Sequence, residues 1–368
     1  MNIKRLLVQN FRNINFLEFY PSPKFNLIYG PNGSGKTSLI EAITYLALGR
    51  SFRNIRYTHL INNKSNLFSL YSEVERDGST KTDTIGLSRS KGKSAPLAIN
   101  INQEKKSRLI DIADRICVQI IHPQGTDLIT GTPEIRRSFI DWGTYYQFSE
   151  FKSTWIRYKR LLSQRNALLK QSADKSMIVI WDQVFAELSE KIAVLRQEYI
   201  SALLPIFEEK IHKFLPDFNF KFYISKGWDD GSDLLKLLTL NLEKDRVLGY
   251  TFYGCHRADL KIKYNQIPAS EVLSRGQLKL LVCAMRLSQG ALLKKQTGKD
   301  CIFLIDDISS ELDSHSQELL FEDLSNSTSQ VFITNISKNF LNSQKDNCKL
   351  LDISASLSNF IHNEGRNA

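Results

Sequence analysis

An apolar run, a glycine-rich turn and a helix follow one another between Phe25 and Leu48, and no other segment restricts the fold so tightly. Phe25-Asn26-Leu27-Ile28-Tyr29 has the make-up of a short buried strand. Gly30-Pro31-Asn32-Gly33-Ser34-Gly35-Lys36-Thr37 fits the spacing G-x-x-x-x-G-K-[ST], and Ser38 to Leu48 continues as a helix. Glycines at that spacing let backbone N–H groups wrap a phosphate chain, and the helix N-terminus adds partial positive charge. Lys36 is placed to reach the β- and γ-phosphates of ATP, and the Thr37 hydroxyl to hold Mg²⁺. Gly30, Pro31, Asn32, Gly33, Ser34, Gly35, Lys36, Thr37 and Ser38 are the expected nucleotide-binding residues.

A loop of this type needs a carboxylate on a neighbouring strand tip. Cys301-Ile302-Phe303-Leu304-Ile305-Asp306-Asp307 supplies paired acids behind an apolar run. Asp306 is expected to orient Mg²⁺ with Thr37, and Asp307 to polarise the attacking water, which makes Asp307 and Lys36 the expected catalytic residues. Leu273-Ser274-Arg275-Gly276-Gln277 opens another helix. Ser274 suits an N-cap, and a capped helix start beside a small glycine is also an anion site. Ser274, Gly276 and Gln277 therefore join the expected nucleotide contacts.

Around these motifs the chain changes character. Up to about residue 120 it reads as short strands about one helix, with Leu67 to Glu75, Thr82 to Leu87, Pro96 to Asn102 and Ile116 to Ile121 strand-like. Pro133 to Gln171 and Ile178 to Leu215 are long and helical. Trp155, Tyr158, Leu162, Arg165 and Leu169 recur at helical spacing, as do Trp181, Phe185, Leu188, Ile192 and Leu195. With the polar break Gln171 to Ser176 they predict a short antiparallel helical hairpin. Apolar strands return at Cys301 to Ile305, Gln330 to Thr334 and Leu350 to Ile353. The economical fold is α/β: one domain made from both chain ends, with an inserted helical lobe. Its expected parts are 1–120, 121–297 and 298–368.

Among 368 residues, 49 Lys and Arg against 39 Asp and Glu leave a net charge of +10, which suits an acidic partner. Seven basic residues (81, 89, 91, 93, 105, 106, 108) fall between Lys81 and Arg108, and seven more (152, 157, 159, 160, 165, 170, 175) between Lys152 and Lys175. Such runs read equally as solvated faces or as contacts to an acidic partner, and with no groove-reading helix in view any contact with nucleic acid would follow phosphates and not sequence. No apolar stretch reaches spanning length and the N-terminus has no signal-peptide core, so no membrane is expected and the location is cytoplasmic. The five scattered cysteines form no C-x-x-C pair and read as buried thiols. His256 and Arg257, with Asp259 nearby, read equally as a structural pair or a functional one.

The order Gly30–Thr37, Leu273–Gln277, Ile302–Asp307, Ser310–Asp313 resembles an ABC-type ATPase head. Closer matches are Asn10-Phe11-Arg12-Asn13, Ser51-Phe52-Arg53, Pro133-Glu134-x-Arg136-Arg137-x-Phe139-Ile140-Asp141, Gln164 to Leu169 and Gly254-x-His256-Arg257-Ala258-Asp259-Leu260. Through these the chain is similar to the RecF family of bacterial recombination-repair proteins. The resemblance implies a slow, switch-like ATPase whose heads pair as ATP-dependent homodimers, Ser274 of one closing over the nucleotide of the other. It also implies action at gapped or single-strand/double-strand DNA junctions with RecO and RecR, RecA loading, fork maintenance and the SOS response. Cys255 departs from the family's usual proline and Gln124 from an expected acid, which leaves the lobe-linking glutamine as Gln119 or Gln124. Thr334 and Asn335 stand where transporter ATPases carry a switch histidine. An ABC-transporter ATPase subunit is the alternative that shares the same motifs.

Overall fold

The computed structural model describes residues 1–53, 56–76, 81–92, 97–106, 108–171, 174–307, 312–338 and 348–355. The chain divides into two compact units, Met1–Gln124 with Gly298–Ala368, and Gly125–Thr297.

The first unit is built on a parallel sheet ordered β14-β3-β13-β12-β8: β3 Phe25–Tyr29, β8 Val118–Ile121, β12 Ile302–Ile305, β13 Val331–Asn335 and β14 Cys348–Asp352. Strands from the two ends of the chain interleave, Ile28 pairing with both Thr334 and Leu351. Every residue of β12 and β13 is buried. Parallel strands covered on both faces read as unbroken apolar runs, which is why these segments were recognisable. Helix α1, Lys36–Leu48, is buried from Ser38 to Ala47 and closes on Gly49 at φ 64. A second, antiparallel sheet runs β2-β1-β4-β5-β6-β7, with β1 Asn2–Phe11, β2 Ile14–Phe19, β4 Leu67–Glu75, β5 Thr82–Ser90, β6 Ala98–Ile101 and β7 Glu104–Lys106. The expectation lacked β2. It buries Ile14, Leu17 and Phe19 and joins β1 through a turn at Arg12-Asn13, Arg12 taking φ 56.

In the second unit the stretch 133–171 is two helices, α2 Pro133–Gln147 and α3 Ser149–Lys170, broken where Phe148 is extended at φ −117, ψ 111. After α4 Lys175–Val179 comes α5 Asp182–Phe214. Phe151, Tyr158 and Leu162 of α3 share one core with Phe185, Leu188 and Ile192 of α5. The start of α3 meets the far part of α5 (Trp155 with Arg196, 5.4 Å), and its end meets the start (Arg165 with Asp182, 2.8 Å), so the pair is antiparallel. Two expectations change here. Trp181, placed in the buried stripe, precedes α5 and is 42% exposed. Arg165, counted among DNA-facing cations, is fully buried: Nε donates to Asp182 Oδ1, and Nη1 to Asp245 Oδ2 at 2.6 Å and Thr251 Oγ1 at 3.0 Å. A lone buried charge is too costly, so it sits between two carboxylates.

Two short helices, α6 Leu234–Leu240 and α7 Leu242–Leu248, were not foreseen, and α8 Arg275–Thr297 was. The small antiparallel sheet β11-β10-β9 joins Ile267–Pro268, Asp259–Tyr264 and Phe220–Ser225. Helix α9, Ser314–Asn326, belongs to the first unit. No described helix is long and apolar enough to cross a membrane.

Candidate nucleotide-binding site

In an open parallel sheet, ligands settle at the carboxyl ends of the strands. The carboxyl ends of the neighbours β3, β13 and β12 carry Gly30–Lys36, Thr334-Asn335 and Asp306-Asp307. Asp306 is buried, and its Oδ1 accepts from Thr37 Oγ1 at 3.0 Å and Thr334 Oγ1 at 2.8 Å. Burial holds this carboxyl above the ordinary aspartate range, although the Thr334 and Thr37 hydroxyls pull the other way. Thr334 Oγ1 also accepts the Asp307 N–H at 2.8 Å. That bond braces Asp307 in the left-handed region at φ 51, a conformation aspartate tolerates better than branched residues. One hydroxyl thus ties both acids to the tip of β13. In the sequence Thr334 stands out only as what replaces a histidine.

The loop itself is poised for an anion. The N-cap of α1 is Gly35, φ 106, which offers no side-chain cap to the first N–H groups of the helix. Gly30 lies at φ 149, and a Cβ there would stand 2.9 Å from Ser34 Oγ. Ser34 Oγ is buried and has no hydrogen-bond partner among the described residues. Lys36 Nζ donates to Gly30 O at 2.7 Å and Pro31 O at 3.0 Å, folded onto the loop's own carbonyls. Burial lowers its pKa, while the charges of Asp307 and Asp306 raise it. These features fit a nucleoside triphosphate: helix-start N–H groups without a side-chain cap, an orphan hydroxyl, an ammonium held only by loop carbonyls, and a threonine–carboxylate oxygen pair suited to Mg²⁺.

Two residues brace the loop from the β1–β2 turn. Asn13 Nδ2 donates to Gly33 O at 3.0 Å, and its Oδ1 accepts from Ser38 Oγ at 2.7 Å. Arg12 forks onto the buried Glu41 of α1 at 2.8 and 2.7 Å and donates to His59 O at 3.0 Å. Ser51 Oγ also donates to Glu41. Only the family resemblance marks this turn in the sequence, because its partners lie twenty or more residues along the chain.

The other expected residues fall as follows. Ser274, Gly276 and Gln277 lie in the second unit. Ser274 Oγ accepts the Gln277 N–H at 3.3 Å while Gln277 Oε1 accepts the Ser274 N–H at 2.9 Å, a reciprocal cap at the start of α8. Gly276 has open space where a Cβ would project. Ser310 and Glu311 lie outside the described residues; Asp313 caps α9 through the Ser316 N–H at 2.9 Å. Gln119 is buried within β8, whereas Gln124 is exposed at the residue where the first unit ends. The Asp259 carboxylate pairs with Arg136 (2.7 and 3.0 Å), not with His256 or Arg257. His256 Nδ1 accepts from the Tyr158 hydroxyl at 2.6 Å and Nε2 donates to Thr251 O at 3.0 Å.

A family model described as the RecF/RecN/SMC N-terminal domain matches residues 2–358. The DNA replication and repair protein RecF of Psychromonas ingrahamii is 43% identical over 91% of this chain and 92% of its own length. That of Haemophilus influenzae is 40% identical over 98% of this chain and 100% of its own. A solved structure of the recombination mediator protein RecF with ATP superposes with a TM-score of 0.82 at 25% identity, covering 96% of each chain. An SMC head bound to the winged-helix domain of ScpA shares the fold at TM-score 0.55 and 16% identity. A model match over almost the whole length and relatives at such identity agree with the P-loop geometry: the chain belongs to the RecF family of DNA replication and repair proteins and has their ABC/SMC-type P-loop ATPase head.

Proposed function

We propose that the protein is an ATP-switched DNA clamp of recombinational repair and fork maintenance, acting in the cytoplasm with RecO and RecR to promote RecA loading and SOS induction. The observation that carries the ATPase part is the chain Thr37–Asp306–Thr334–Asp307 beside an uncapped phosphate loop. Bound ATP with Mg²⁺ would supply the anhydride to be cleaved and the charge that draws two heads together. Lys36 would exchange the Gly30 and Pro31 carbonyls for phosphate oxygens. Thr37 and Asp306 would hold the metal through their oxygens. Asp307, braced by Thr334, would orient and polarise water as the catalytic carboxylate. Ser274 would act across the dimer from the partner's helix start. The relatives' names favour this over a transporter subunit.

Asp307→Asn keeps the shape of that side chain and removes its charge, so hydrolysis should fall by roughly 100-fold or more with nucleotide affinity intact. Its ATP-bound dimer should then accumulate. Ser274→Arg should bind ATP and stay monomeric, because a bulky side chain blocks closure. Light scattering with ATP separates the two, and identical behaviour would refute this division of roles.

The DNA surface is narrower than the residue runs suggest. Lys106 pairs with Glu104, Arg108 with Asp111 and Lys175 with Glu243, while Arg89 stacks on Tyr57. Lys93 lies outside the described residues. Lys91, Arg157, Lys159, Arg160 and Lys170 are exposed. Neutralising Lys91, Arg157 and Lys159 should weaken all duplex sequences alike and flatten the slope of log affinity against log salt by about one for each phosphate-facing charge removed. An unchanged slope would make these ordinary solvated charges.

A further inference from the structure

Three buried or half-buried arginines of the second unit face carboxylates: Arg136 on Asp259, Arg196 on Asp141, Arg165 on Asp182 and Asp245. Two exposed cations, Lys244 within α7 and Arg257 after it, lie against aromatic rings instead. Lys244 Nζ lies 3.8 Å from the centroid of the Phe252 ring. The Arg257 guanidinium lies 5.0 Å from that of Tyr250 and 5.9 Å from that of Phe252. Among the described residues neither cation has a salt-bridge partner, and Tyr250 is 37% exposed. Lys170 adjoins them, since a Cβ on Gly249 would stand 3.4 Å from its Cγ.

This surface is held rigid from beneath. The Phe252 N–H donates to Asp245 Oδ1 at 3.0 Å, and the Thr251 N–H to Asn166 Oδ1 at 2.8 Å. Thr251 O accepts from His256, itself locked to Tyr158. Burial first, then the charges of Arg257, Arg137 and Lys159, push the His256 pKa down to about 4, so at neutral pH it is an uncharged strut. Aromatic faces fixed in place beside cations without counter-charges suit a ligand that is flat and apolar on one side and anionic on the other. A duplex hides its base faces; a single strand offers them.

We propose that Tyr250, Phe252, Arg257 and Lys244 form a stacking site for an unpaired base of single-stranded nucleic acid, with Lys170 beside them for the phosphate backbone. The site rests on the DNA-binding reading and adds a single-strand subsite apart from the nucleotide loop. Helix α4, which shares a small core with α7 through Ile178 and Leu242, leaves Met177 and the following Ile180 exposed, as α7 leaves Val247; these apolar side chains suit a protein partner better than a base, and the test separates the two.

Affinity is measured with the full chain for three probes: an oligo-dT strand, an abasic strand of equal length and a blunt duplex. Tyr250→Ala should weaken oligo-dT binding by about 5- to 150-fold. It should leave the abasic strand and the duplex unchanged, and Tyr250→Trp should keep the wild-type value. Unchanged oligo-dT affinity in Tyr250→Ala, or equal binding of oligo-dT and the abasic strand by wild type, would overturn the proposal and return these rings to a protein-docking face. Failure of wild type to bind the duplex would instead defeat the underlying DNA reading.

Discussion

Arg165→Leu is expected to destabilise the second unit by about 3–5 kcal/mol, the usual cost of stripping one partner from a buried ion group. The arginine is the sole cation bonded to both Asp182 and Asp245 among the described residues, and both acids are buried. Burial already raises the Asp182 pKa even with Arg165 present. In the variant this carboxyl should take up a proton in the folded state more readily still. A raised folded pKa favours folding at low pH and loses that contribution as pH rises through it, so the defect should be larger at alkaline than at mildly acidic pH. Adding Asp182→Leu and Asp245→Leu should recover part of the loss, since an apolar core of similar volume tolerates the site. Denaturant melts of the three proteins at two pH values check this. A single variant as stable as wild type would show that the arginine is not holding the hairpin together.

Lys36→Met should weaken ATP binding by roughly 10- to 150-fold, the range for losing charge-assisted hydrogen bonds, while the melt stays near wild type. Its ammonium is bonded only to two loop carbonyls in the described structure. Pro31 is exposed, so water can replace the lysine there, and although Gly30 is buried its carbonyl loses only one partner, so stability should change little. ATP-dependent dimerisation should vanish with the affinity. Titration with a fluorescent ATP analogue measures it, and wild-type affinity would remove Gly30–Thr37 from the nucleotide site.

What could be read beforehand was what local chemistry dictates. The strand before the phosphate loop is apolar but for Asn26 because a parallel sheet covers both its faces, and the loop's spacing is set by the ligand it suits. The hairpin was legible through its period. That same period held a warning about Arg165: it stands three residues from Leu162 and four from Leu169, on the buried stripe, and a linear count of charge overlooked the face. Thr334 and Asn13 were harder. Each is a small polar residue whose meaning depends on a partner remote in sequence, Asp306 in one case and Gly33 in the other. β2 is six residues whose buried positions, Ile14, Leu17 and Phe19, do not alternate, so it is short and irregular enough to pass for loop.

The interleaving of strands from both chain ends bears on how the protein is made. Phe25 of β3 pairs with Val331 and Cys348, so the strand that launches the phosphate loop waits for neighbours translated some three hundred residues later. At ordinary elongation rates that is a delay of roughly 15–60 s on the ribosome. The second unit, by contrast, is one continuous stretch, Gly125–Thr297, and is fully synthesised before those neighbours appear. Closing the parallel sheet is therefore a late, long-range step of high contact order, and β3 is an unpaired apolar edge until it happens. Asp306 and Thr334 reach the loop only in that last interval, so a nascent chain cannot complete its Thr37–Asp306 pair until synthesis is nearly over.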